Sequence, residues 1–387
     1  MTAPRLHNLP NYPFADLGKR IQKLNEQGKD VIQLDMGSPD LPPAPAVIDA
    51  LAKSAARPDR HGYAGYRGTP DFRKAVAKYY QNRFGVEVDS NREVLPLLGS
   101  KEGIVNLTLA MIGPGDVALV PSIAYPAYAM GTLLAEGTVF EMPLLAENKF
   151  LPVFSDIPTD VLEKAKLLWV NYPNNPTAAF CDLNFYEEAV AFCREHNILL
   201  CSDNAYIEVT FDGLSHAPSA LQIAGAKDVT VEFISTSKSY NMAGWRLGAA
   251  VGNEAALDAL LKVKSNVDSG HFHSIYDAGI VAFETTTQEW LDERNACYAR
   301  RRDKILSVLS QLRLEVDEPP KGSLYVWARV VGMSDTEYTE KALLEAGVSI
   351  TPGSVYGNDG KGYVRISLGI SDARLNEAIE RLLRLWN

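Results

Sequence analysis

Cysteine is scarce in this chain, and the four present, Cys181, Cys193, Cys201 and Cys297, show no paired spacing. A disulfide framework is therefore excluded, and the expectation is of reduced core thiols in a cytoplasmic protein. Long apolar runs are missing as well: nothing approaches the roughly 18 residues that a membrane span needs. The stretch Met1-Thr-Ala-Pro-Arg-Leu-His-Asn-Leu-Pro10 lacks the apolar core of a signal peptide, so no export signal is expected. Positive charge is in deficit, 38 Lys and Arg against 48 Asp and Glu, for a net charge of −10. That balance disfavours nucleic acid and anionic membrane as partners, while an anionic small-molecule substrate stays open because local arginines decide it. Internal repeats and low-complexity segments are absent too.

What is present is an ordinary globular composition, 46% apolar and 22% charged, over 387 residues. At about 150 residues per domain this is enough for two domains. The chain opens with a proline-containing arm, a helix over 14–27 with Leu17, Ile21 and Leu24 at helical spacing, and a strand over 31–36. Gly37 then starts an irregular loop, Gly37-Ser-Pro-Asp-Leu-Pro-Pro43, where a backbone without Cβ can approach a ligand closely. From 46 to 283 helices alternate with short strands at 94–98, 117–120, 167–170, 198–201 and 231–234 that are too apolar for a half-exposed sheet. Strands of that kind belong to a parallel sheet buried under helices on both faces, whose ligands collect beyond the carboxyl ends. A long helical stretch over 284–312, strands around 324–327 and 363–367, and a last amphipathic helix bearing Leu375, Ala378, Ile379 and Leu382 complete the chain. The expected division is an arm with the first part of a small domain (1–45), a large α/β domain (46–283) and a small C-terminal domain (284–387).

The segment that organises the rest runs from Val229 to Gly248, a strand that breaks into Ser235-Thr-Ser-Lys238, with Arg246 eight residues past the lysine. Hydroxyls and an arginine fork around a lysine suit a doubly charged phosphate. A lysine desolvated beside another cation loses its proton more easily and attacks an aldehyde, and an aldehyde that carries a phosphate describes pyridoxal phosphate. Gly99-Ser100-Lys101-Glu102 follows a strand and opens a helix, adding backbone N–H groups for the same phosphate. Lys101 is the rival for the covalent anchor, but a helix start facing phosphate suits it better as a charge-balancing group. Asp203 ends the strand 198–202, where a carboxylate can keep a pyridine nitrogen protonated. Ser235-Thr-Ser-Lys238 with Ser202-Asp203-Asn204 also echoes the penicillin-recognising hydrolases, but in the wrong order and without a later Lys-Thr-Gly.

Ser235-Thr-Ser-Lys-Ser-Tyr-Asn-Met-Ala-Gly-Trp-Arg-Leu-Gly248 resembles the signature of the class I and II aminotransferases of the aspartate aminotransferase fold type. The resemblance implies a large, mostly parallel seven-stranded sheet, a smaller α+β domain, pyridoxal phosphate held by Lys238, and ping-pong transfer between amino acid and 2-oxo acid. It implies that Tyr206 and Asn175, of Asn171-Tyr-Pro-Asn-Asn-Pro-Thr177, meet the phenolic oxygen of the cofactor, and that Tyr125 stacks on its ring. Ser100, Ser235, Ser237 and Arg246 take the phosphate, to which Tyr63 reaches across a homodimer interface, and Arg365 grips the substrate α-carboxylate. Ala178 replaces the usual glycine, which is expected to alter the turn and leave Asn175 in place. The arm 9–15, the loop 36–42 and Gly99–Ile104 look most like the LL-diaminopimelate aminotransferase group, and the resemblance implies Tyr12, Gly37 and Asn175 as further substrate contacts. Aspartate, alanine and aromatic amino acids stay open as donors. Lys264–Gly270 resembles a family segment near the site without an assignable role. His271 and His273 have strand-like spacing and no third ligand nearby, so no metal is expected. A regulator built on this fold would add a basic DNA-binding domain, for which the arm is too short.

Overall fold

The computed structural model describes residues 2–7, 9–10 and 13–386. Its main sheet has the spatial order Val94–Leu97, Gly248–Gly252, Thr230–Ser235, Leu199–Asp203, Ala165–Val170, Val117–Pro121, Thr138–Met142. The last five pair in parallel, and Gly248–Gly252 runs antiparallel to both neighbours. Period-2 alternation feeds two cores, because both faces are covered. Leu167 and Trp169 join Ile104, Leu107 and Tyr128 on one face, while Leu168 and Val170 join Phe72, Tyr186 and Tyr276 on the other.

Two strands of this sheet carry no apolar run. Thr138–Met142 is an edge strand with one buried residue in five, so its polar positions face water. Gly248-Ala-Ala-Val-Gly252 is fully buried but small. A Cβ on Gly248 would lie 2.6 Å from the Ile234 carbonyl oxygen, so close backbone approach dictates the glycine there.

The smaller sheet is antiparallel, ordered Thr351–Pro352, Tyr363–Ser367, Tyr325–Val330, Leu314–Glu315. Its core takes Ile32 and Leu34 from the N-terminal part and Tyr206 and Val209 from the segment after Asp203, so the two sheets meet around the end of Leu199–Asp203. The expected strand 31–36 shrinks to Ile32–Gln33, paired in parallel with Val348–Ser349. The helical stretch expected over 284–312 is the helix Gln288–Leu306 followed by a 3-10 turn at Leu309–Leu312, and a separate helix, His273–Thr285, ends where that stretch was expected to begin. The β-branched run Thr285-Thr-Thr287 makes the break, and the Thr287 hydroxyl caps the second helix by accepting from the Trp290 N–H at 3.2 Å. Among the described residues no helix is long and apolar enough to cross a membrane.

Candidate active site

Thr230–Ser235 ends at a serine whose Oγ accepts from the Ser237 N–H at 3.2 Å and caps the one-turn helix Thr236–Ser239. From that turn Lys238 Nζ donates to the Gly37 carbonyl at 2.6 Å. Burial pushes the lysine down to about 8, aided by the guanidinium charges of Arg246 and Arg365. Gly37 is needed on steric grounds, since a Cβ there would collide with the Tyr325 hydroxyl. Arg294, fully buried on Gln288–Leu306, anchors the turn by donating to the Lys238 carbonyl at 3.1 Å and to that of Ser239.

Around Lys238 lies a cavity of about 380 Å³ whose lining joins Gly37, Ser100, Lys101, Tyr125, Asn175, Asp203, Tyr206, Ser235, Ser237, Arg246 and Arg365. Residues far apart in sequence meet there because each follows the carboxyl end of a sheet strand or faces one from the small sheet. Tyr63 lies outside this lining and is 87% exposed. Tyr12 lies outside the described residues.

One end of the cavity is built for an anion. Gly99 has φ 80°, and a Cβ there would collide with the Arg246 guanidinium. The helix Ser100–Met111, which has no side-chain N-cap, starts in the same cavity lining as the Ser235 and Ser237 hydroxyls and Arg246, so its first turn adds helix-terminal N–H groups to an anion site. Lys264 explains its own segment. It is buried, its Nζ lies 2.7 Å from Asp268 and 3.3 Å from Glu102, and Glu102 in turn accepts from the Leu98 N–H at 3.1 Å. The pair fixes the loop that starts the anion-facing helix.

The middle holds Asp203, which is 5% exposed. Burial pushes its carboxyl up to about 6, against the pull of the Tyr128 hydroxyl, which donates to Oδ2 at 2.7 Å, and of the Ala205 backbone N–H. Asp203 Oδ1 is buried and has no hydrogen-bond partner among the described residues. Asn171 Nδ2 ties the Asp203 carbonyl at 2.6 Å. Tyr206 shares a 2.8 Å hydrogen bond with Tyr325, and Lys101 Nζ lies 5.9 Å from the Tyr125 ring centroid.

At the far end Arg365 donates to Asn175 Oδ1 at 2.9 Å, and its guanidinium lies 4.2 Å from the Tyr325 ring centroid. Asn175 is held by its own N–H on Asn171 Oδ1 at 2.8 Å. Ala178 sits in the left-handed region at φ 57°, so the alanine keeps a glycine-type turn and Asn175 faces the cavity. His271 lies in a loop with Nε2 3.3 Å from the Leu97 carbonyl, and His273 opens a helix; the strand-like spacing is not a strand.

Tyr128, Arg294 and Tyr325 were not legible as site residues, while Asn171 heads the segment Asn171–Thr177 that was read as part of the site, without a role of its own. Tyr128 and Tyr325 sit in apolar runs that read as core, and Arg294 is one arginine among many on its helix. Only Tyr128 had a cue, three residues after Tyr125 on the same helix start.

These surroundings fit pyridoxal phosphate. The hydroxyl, arginine and N–H cup matches a phosphate, the part-desolvated lysine an aldehyde, and the orphaned Asp203 Oδ1 a protonated ring nitrogen. The model of the aminotransferase class I and II family matches residues 29–382, and the chain belongs to that family. It is a pyridoxal-phosphate-dependent aminotransferase of the aspartate aminotransferase-like fold. An LL-diaminopimelate aminotransferase of Moorella thermoacetica is 48% identical over 384 residues, 99% of this chain and 98% of that protein. The apo structure of BacF from Bacillus subtilis superposes with a TM-score of 0.95 at 36% identity, covering 100% of this chain and 98% of that one. A mutant aspartate aminotransferase of Thermus thermophilus gives 0.91 at 27% identity, covering 100% and 99%.

Proposed function

We propose that this cavity moves the α-amino group of LL-2,6-diaminopimelate to a 2-oxo acid such as 2-oxoglutarate. The observation that carries the reaction is the meeting in one cavity of a lysine held near neutral pKa, a buried carboxylate with a free oxygen, and a buried arginine fork. When bound, pyridoxal phosphate supplies the electron sink that stabilises charge at the substrate Cα. Lys238 is the cofactor anchor, and once displaced its amine takes the proton from Cα and returns it on the cofactor side. A pKa of about 8 leaves a useful share of the amine unprotonated at neutral pH. Asp203 keeps the ring nitrogen protonated, and Tyr206 and Asn175 bind the phenolic oxygen. Tyr125 stacks on the ring, and Ser100, Ser235, Ser237 and Arg246 hold the phosphate, with Lys101 balancing its charge. Arg365 grips the α-carboxylate as a bidentate fork.

The donor rests on the names of relatives such as the Moorella thermoacetica enzyme, and Gly37, which lines the cavity beside Lys238, is assigned to the substrate together with Tyr12. A homodimer completes the site, with Tyr63 crossing to the partner's phosphate; its 87% exposure supports a side chain that points away from its own subunit. The buried free thiols Cys181, Cys193 and Cys201 support a reducing, cytoplasmic location. The test is a panel of amino donors with 2-oxoglutarate. LL-diaminopimelate should exceed aspartate, alanine and phenylalanine in kcat/KM, and a better four-carbon or monocarboxylic donor would overturn the substrate while leaving the aminotransferase.

A further inference from the structure

The two oxygens of Asp203 have unequal surroundings. Oδ2 accepts from the Tyr128 hydroxyl at 2.7 Å, and Oδ1 lacks a partner among the described residues while its residue lines the cavity. The Tyr128 side chain is fully buried on the helix Ala127–Leu134. Its ring stacks on Trp169 with centroids 4.9 Å apart and planes 10° apart, and Trp169 in turn lies against Phe233 of the sheet at 5.6 Å. A stack of that kind leaves the phenol little freedom to turn its hydroxyl elsewhere. Burial also raises the phenol well above its ordinary range, so it stays protonated and donates. A buried carboxylate whose single side-chain donor is fixed has a preferred rotamer, with Oδ2 committed to that donor and Oδ1 turned to the cavity.

We propose that Tyr128 is a positioning residue for the cofactor: its hydroxyl, pinned by Trp169, holds Asp203 ionised with Oδ1 turned to the ring nitrogen. This rests on the reading of Asp203 as the partner of that nitrogen. Without the hydroxyl, the carboxylate loses its only side-chain donor among the described residues. Its proton is then held more tightly, and its rotamer is no longer set. A protonated carboxyl is a poor partner for a pyridinium. Retention of the cofactor should therefore fall, through the nitrogen alone.

The test measures dissociation constants on cofactor-stripped protein, wild type, Tyr128→Phe and Asp203→Asn, between pH 5 and 8.5 on order of magnitude of the working range. Two probes are used, pyridoxal phosphate and its analogue with the ring nitrogen replaced by C–H. Tyr128→Phe keeps the ring and its stack, so affinity for the analogue should be unchanged. Preference for the native cofactor should drop about tenfold, the effect of one hydrogen bond to a charged group. The pH at which native affinity falls off on acidification should also move upward. Equal loss for both probes would make Tyr128 packing only and overturn the inference. If Asp203→Asn retains wild-type preference, the reading of Asp203 itself falls. If Asp203→Asn abolishes the preference while Tyr128→Phe leaves preference and pH profile untouched, the Tyr128 inference alone falls. Should Tyr128→Phe not fold, 3-fluorotyrosine at position 128, a more acidic donor, should move the fall-off to lower pH, and an unmoved or raised fall-off refutes the role.

Discussion

Replacing Asp203 with asparagine should make the cofactor-free protein more resistant to unfolding at alkaline pH than at acid pH, relative to wild type. The carboxyl is pushed from 3.8 in the unfolded reference up to about 6 by burial. A folded pKa above the unfolded one means that folding favours the protonated form. The group costs nothing below the unfolded value, the cost grows as pH rises from there to about 6, and it stays constant above. At 1.36 kcal/mol per unit, a gap of about two units amounts to about 3 kcal/mol at pH 8. At pH 4.5, where the unfolded carboxyl is only partly beyond its midpoint, the cost is about 1 kcal/mol by the same relation. Asparagine removes this pH-dependent term. It keeps the hydrogen bond from Tyr128 on its amide oxygen but buries an NH2 group without an acceptor, a pH-independent cost of about 1–3 kcal/mol. The absolute difference at one pH is therefore small, and the change between two pH values is the signal, about 2 kcal/mol in favour of the variant from pH 4.5 to pH 8. Denaturant unfolding of stripped wild-type and variant protein at several pH values reads it directly. Parallel stability curves across that range would refute the burial argument. In the loaded enzyme the same change should cost most of the turnover, so stability and function pull Asp203 in opposite directions.

Lys238→Ala should retain cofactor without a covalent bond and lose transamination by about 10³-fold or more, read from single turnovers; near-normal turnover would remove the lysine from the mechanism. Arg365→Lys replaces a planar fork with a point charge and should raise KM for donor and acceptor alike by about tenfold. A rise for one substrate only would show that the arginine reads a side chain rather than the α-carboxylate. Ala178 pays for its left-handed φ of 57°, a strain of about 1–2 kcal/mol that Ala178→Gly relieves, less about 0.4–1 kcal/mol of added chain entropy. The variant should gain about 0.5–1 kcal/mol in denaturant unfolding, and a loss of stability would mean that the Ala178 methyl packs for more than the strain.

Local chemistry carried much of the protein in its sequence. Uniformly apolar strands such as 167–170 and 198–201 announced a sheet covered on both faces, because a strand with one face in water carries polar residues at alternate positions. Ser235, Ser237, Lys238 and Arg246 were legible together because one short turn brings a phosphate cup and its lysine into reach, so their spacing is itself a geometric statement. Thr138–Met142 and Gly248–Gly252 were not legible, since an edge strand is half polar and a crowded central strand is made of small residues. The partners of the site were hidden for a different reason. Tyr128 and Tyr325 look like core tyrosines and Arg294 like a surface arginine until the sheet stacks Tyr128 under Asp203, the small domain brings Tyr325 to Tyr206, and Arg294 is buried against the Lys238 carbonyl. Residue type and spacing decide what a turn can bind, but a hydrogen bond between positions 75 or 119 residues apart exists only once long-range packing has set two backbones at the right separation.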